Sequence, residues 1–139
     1  MRRQVNRKEI FRVVDANYNR AKEGLRVCED IARFVLDDKT LTSRFKRVRH
    51  GLTQAVAAFG LEEIVTARDI VKDVGRATIN SESRRYSVGD LLYANSQRVK
   101  ESLRVLEEFA KLVNINAAEK LKSLRYTVYD LERKAIGRL

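Results

Sequence analysis

DANYNRAKEGLRVCEDIARFV (residues 15–35) returns 78 positions downstream as YANSQRVKESLRVLEEFAKLV (93–113), with 11 of 21 positions identical. A fixed-offset repeat means that one supersecondary unit was copied and that its copies bury a common core. Apolar residues recur every three or four positions through both stretches, the spacing of one helical face. Proline is absent and only 6 of 139 residues are glycine, which favours long helices. The reading is an all-α fold.

Working outward from the first copy, Asn6 and Glu9 stand at the N-cap and N3 positions of a capping box. Val14, Tyr18, Ala21, Leu25, Cys28, Ala32 and Val35 then carry one long helix. Asp37, Asp38 and Thr40 offer turn and cap chemistry before a second helix through Leu41, Phe45, Val48, Leu52, Ala55 and Phe59. The second copy opens on a serine-to-acid cap, Ser87 to Asp90, and runs through Leu92, Val99, Leu103, Leu106, Ala110 and Val113. Its partner carries Leu121, Leu124, Val128, Leu131 and Ala135. This predicts a single domain over 1–139: a helical bundle of two duplicated αα-hairpins (10–59 and 88–136) about a pseudo-two-fold axis, with an intertwined homodimer as the main alternative. The connection VTARDIVKDVGRATINSESRRY (65–86) has no clear period and is longer than most bundle connections, so it reads as a functional loop with Ile70, Val71, Val74 and Ile79 as apolar anchors.

Lysine and arginine number 29 against 19 acidic residues, a net charge of +10 that points to an anionic partner. A nucleic acid is disfavoured, because acids are intermixed on the exposed faces and no basic stripe forms. The single cysteine, Cys28, rules out a disulfide framework within one chain and suits a reducing compartment. MRRQVNRKEI lacks the apolar run of a secretory signal, and no stretch approaches the ~18 apolar residues of a membrane span, so a soluble cytoplasmic protein is expected. Walker A, dinucleotide-binding, zinc and serine-hydrolase patterns are all missing.

Projected at 100° per residue, the first helix has an apolar arc of roughly 200° that only Asn17 and Arg20 interrupt. Asn95 and Arg98 interrupt the second copy at the same angles. An arginine keeps its charge, so each must meet a carboxylate, a carbonyl or an anion. One reading is an interhelical polar network that fixes how the copies dock. The other is a two-sided anion site, since arginine forks match phosphate oxygens. The opposite faces, Lys22, Glu23, Arg26, Glu29, Asp30 and Arg33 with Lys100, Glu101, Arg104, Glu107, Glu108 and Lys111, read as solvated ion-pair surfaces, with Glu29/Asp30 and Glu107/Glu108 as weak Mg²⁺ candidates. His50, the only histidine, follows Arg49 and aligns with Tyr126 after Arg125; it is either structural or a phosphate donor.

Taken together, residues 15–38, Arg49-His50, ARDIVKDVG (67–75) and YANSQRVKESLRVLEEF (93–109) resemble the helical domain fused ahead of thiamine phosphate synthase in some bacteria. The resemblance covers nearly the whole chain, with Arg76 where that pattern usually has threonine after Asp-Val-Gly. No barrel follows Leu139, so a stand-alone relative or an excised domain is expected. The resemblance implies a kinase that uses ATP and Mg²⁺ to convert hydroxymethylpyrimidine phosphate to its diphosphate. It implies a phosphorylated pyrimidine and a nucleotide as ligands, with thiamine phosphate synthase as a candidate partner. On that basis Arg20, Arg49, His50 and Arg98 are expected on phosphate oxygens and Asn17 and Asn95 at the pyrimidine or phosphate. Arg68 would clamp the transferring group, Asp69 and Asp73 would bind Mg²⁺ or orient the attacking phosphate, and Gly75 would let the loop backbone approach the ligand. The rivals are a non-catalytic binding or scaffold module, a nucleic-acid binder and a purely structural dimer.

Overall fold

The computed structural model describes residues 2–77 and 84–139. Four long helices carry it: α1 (Arg7–Asp30), α2 (Lys39–Val56), α4 (Val88–Ala110) and α5 (Ile115–Ile136), with a short α3 (Leu61–Thr66). Asn6 and Glu9 form the expected capping box, and Ser87 accepts from the Asp90 N–H at the start of α4. Asp38 and Asn114 cap α2 and α5 in the same way. These side chains satisfy backbone donors that have no partner inside their own helix.

The long helices pack in a ring, α1 on α2, α2 on α5, α5 on α4 and α4 on α1. Pairs such as Arg44–Asp130 and Arg138–Asp38 show α2 and α5 running antiparallel. The predicted apolar positions fill the core: Val14, Leu25, Phe45, Leu52, Leu92, Leu103, Leu106, Leu121 and Leu131 are all buried. α3 packs beside α1.

Several expectations fail at the edges. α1 ends in a π turn, Ile31–Val35, whose wider winding changes the register, and Phe34 and Val35 emerge exposed. Leu112 and Val113 lie beyond the end of α4 and are exposed too. Residues 65 and 66 belong to α3, so the irregular segment starts later than expected. Ile70, Val71 and Val74 are exposed rather than anchoring it, Val74 completely, while Ile64 and Ala67 just before them are buried; Ile79 lies outside the described residues.

The faces read as solvated also hold buried charges. Glu29 accepts from Arg49 Nε at 2.9 Å and Glu107 faces Arg125 at 3.5 Å, each further paired to the arginine three residues earlier on its own helix. Lys100 forms a 2.5 Å pair with Glu132 beneath the Tyr129 ring. The helical projection put these side chains on the outside, but α2 and α5 wrap far enough round α1 and α4 to cover them. Both Glu29 and Glu107, read as weak Mg²⁺ candidates, are thus engaged by arginines.

Candidate functional site

α1, α4 and the segment 68–77 enclose a groove of about 1530 Å³. Its walls include Asn17 and Arg20 from α1, Asn95 and Arg98 from α4, and Arg68, Asp69, Asp73 and Gly75 from the segment. Arg12, Arg76 and Arg85 add three further guanidinium groups, and Glu23 and Glu101, a repeated pair, add carboxylates. The two helices can approach because of Gly24. A Cβ there would lie 2.7 Å from Val99 Cγ2 and 3.0 Å from the Asn95 carbonyl oxygen. Glycine thus sets the spacing between the groove walls.

Both asparagines turn one amide hydrogen back on their own helix, Asn17 Nδ2 to the Val13 carbonyl and Asn95 Nδ2 to the Leu91 carbonyl, each at 2.9 Å. That bond fixes the side chain's direction. Arg20 reaches Asn17 Oδ1 only at 3.4 Å, and neither Arg20 nor Arg98 makes an ion pair among the described residues. Both are exposed. The expectation of desolvated arginines in an apolar arc is corrected here: that edge of each helix faces the groove instead of a neighbouring helix.

Arg68 is placed differently. Its Nε and Nη2 donate to the two oxygens of Asp15, both at 2.7 Å, and the nearby carboxylate raises the guanidinium's pKa. Asp15 itself is buried and also accepts from Asn19 Nδ2. Asp69 Oδ1 accepts from the Lys72 N–H and Asp73 Oδ1 from the Gly75 N–H, so each aspartate stabilises a local turn. Among the described residues no group of three or more His, Cys, Asp and Glu side chains could hold a metal ion.

Arg49 and His50 are not part of this groove. Arg49 is committed to Glu29 between α1 and α2, and His50 is an exposed residue of α2. They were expected to join Arg20 and Arg98 on phosphate; the structure places them on α2, apart from the groove that Arg20 and Arg98 line. Asp15 is the residue that sequence reasoning missed. Its signal was available, because the repeat places Tyr93 at that position.

Residues 12–134 match the model of the ThiD2 family. The chain belongs to that family. It is 42% identical over 129 residues to a thiamine-phosphate synthase of Nostoc punctiforme, and 43% identical over 129 residues to one of Synechocystis sp.. A thiamine-phosphate synthase of Rhodopirellula baltica is 38% identical over 133 residues. Each match covers 92% of this chain and 36% of the relative, so this ThiD2-family chain spans about a third of the length of the curated relatives it matches. No solved structure matches. No described helix is long and apolar enough to cross a membrane.

Proposed function

We propose that this ThiD2-family chain acts in thiamine biosynthesis as a kinase that converts hydroxymethylpyrimidine phosphate to its diphosphate with ATP, and that the α1/α4 groove is where it does so. The observation that carries the reading is the pair Arg20 and Arg98: equivalent repeat positions, one groove, and no ion pair to occupy either. Away from the groove Arg26, Arg44, Arg49, Arg104 and Arg125 are matched to carboxylates, and on its wall Arg68 is matched to Asp15. Cations left free on two walls of a groove suit a ligand with phosphate at more than one point.

In this reaction an oxygen of the substrate phosphate attacks the γ-phosphorus of ATP. A new P–O bond forms, the bond to the ADP oxygen breaks, and its electron pair leaves with ADP. Such transfers depend mainly on positioning and charge neutralisation. Arg20 and Arg98 supply positive charge from opposite walls, and Arg76 adds a third cation. Mg²⁺ is usually held by one or two carboxylates with water and phosphate oxygens completing its shell. Asp69 and Asp73 fit that mode, and the ion would neutralise phosphate charge. A thiamine-phosphate synthase is the proposed consumer of the diphosphate.

Purified chain incubated with Mg-ATP and hydroxymethylpyrimidine phosphate should release the pyrimidine diphosphate, followed by chromatography. No product above background removes the kinase reading for this chain; thermal stabilisation by the pyrimidine phosphate without turnover would identify a binding module instead.

A further inference from the structure

We infer that Asp15 is a positioning residue which, through Arg68, pins the 68–77 segment along the groove, and that Arg68 stays on Asp15 instead of moving to the transferring phosphate. The kinetic part of this inference rests on the kinase reading above; the pin itself does not.

Three observations lead here. Asp15 is only 3% exposed, and its charge is met by a two-pronged bond from Arg68 with one amide from Asn19 in support. Arg68 is 43% exposed, but swinging it out to a phosphate would leave the buried Asp15 carboxylate facing an amide alone, and a buried charge left without its partner is unfavourable. Among the described residues, the segment beyond Arg68 has little else to hold it. Its hydrogen bonds are local turns, Lys72 N–H to Asp69, Gly75 N–H to Asp73 and Arg76 N–H to Asp73, and Ile70, Val71 and Val74 are exposed. Finally, the carboxylate belongs to one copy only. Tyr93 takes its place in α4 and is exposed. The pin therefore makes the groove asymmetric, bringing Asp69, Asp73 and Gly75 to the α1 side.

The test compares the full chain with Asp15→Asn, Arg68→Met and the double variant by limited trypsin digestion at Lys72 and Arg76, by melting temperature and by steady-state kinetics. A pin predicts cleavage at both bonds faster by about tenfold in every variant, because proteolysis tracks the population of the open segment. It also predicts that the double variant loses no more kcat than either single one, since both remove the same interaction. Should Asp15→Asn fail to fold, Arg68→Met, whose side chain is partly exposed, carries the digestion arm alone. Unchanged cleavage overturns the pin. A double variant whose losses add, with KM rising in Arg68→Met alone, overturns the assignment of Arg68 and returns it to the phosphate. If the unchanged chain shows no turnover, the kinase reading fails and digestion still decides the pin.

Discussion

Lys22 and Lys100 occupy the same position in the two copies of the repeat, yet their surroundings differ. Lys22 is partly buried over the Tyr18 ring, while Lys100 is buried in an ion pair with Glu132 under Tyr129. The difference arises on the partner helices. With Arg49 and Arg125 aligned, Val56 stands on α2 where α5 has Glu132, and Thr53 where α5 has Tyr129. Tyr18 completes the exchange by hydrogen bonding to Thr53 at 3.0 Å. A duplicated sequence thus preserves a helix and its core face, while the burial of its polar residues is set by whatever the neighbouring helix presents.

The largest test of that contrast is a matched pair of substitutions. Lys100→Met strands Glu132 in a buried position and should cost about 3–5 kcal/mol, whereas Lys22→Met should change stability by less than about 0.5 kcal/mol. Denaturant unfolding of both variants measures this, and equal losses would break the comparison.

A second difference concerns Cys28, which faces Ser96 across the α1/α4 contact while its repeat counterpart is Leu106. Burial pushes the Cys28 thiol up to about 11 from an ordinary 9.0, against the lowering effect of the Ser96 hydrogen bond. The folded chain then keeps its thiol proton where the unfolded chain loses it. Stability from this group is full below about pH 9 and declines as pH rises through about 11, by roughly 3 kcal/mol in all. Subtracting the pH profile of Cys28→Ala from that of the unchanged chain isolates the effect, and a flat difference between pH 8.5 and 11 would contradict it.

The smallest effect sharpens the comparison at the groove. Gly24→Ala puts a methyl group against Val99 and the Asn95 carbonyl, and should cost ~1–3 kcal/mol before the gain of up to ~1 kcal/mol in helix propensity. Ser102, its counterpart, already carries a Cβ, so Ser102→Ala should change stability by less than ~1 kcal/mol. Melting temperatures rank the two, and Gly24→Ala should also weaken pyrimidine phosphate binding by moving Asn95.

Much of the architecture was legible in the chain because its causes are local. The Asn6 capping box, the Ser87 cap and the core positions from Val14 to Ala32 follow from spacing within one helix. The groove residues Asn17, Arg20, Asn95 and Arg98 were legible as polar interruptions of that spacing. That Arg49 and His50 lie apart from the groove was not legible, because residues on a different helix have no defined direction relative to the first. Ile70, Val71 and Val74 were read as anchors because apolar character was taken to imply burial, which is a one-way rule. Asp15 was passed over because its role depends on Arg68, 53 positions away.

The order of residues alone determined four amphipathic helices, their caps and the duplicated polar columns, since each depends on interactions within a few residues. Tertiary structure decided which charges are buried, that Arg68 meets Asp15, and that both polar columns line one groove. Those outcomes depend on how far α2 and α5 wrap round α1 and α4 and on how closely Gly24 lets α4 approach, distances that helical periodicity does not contain.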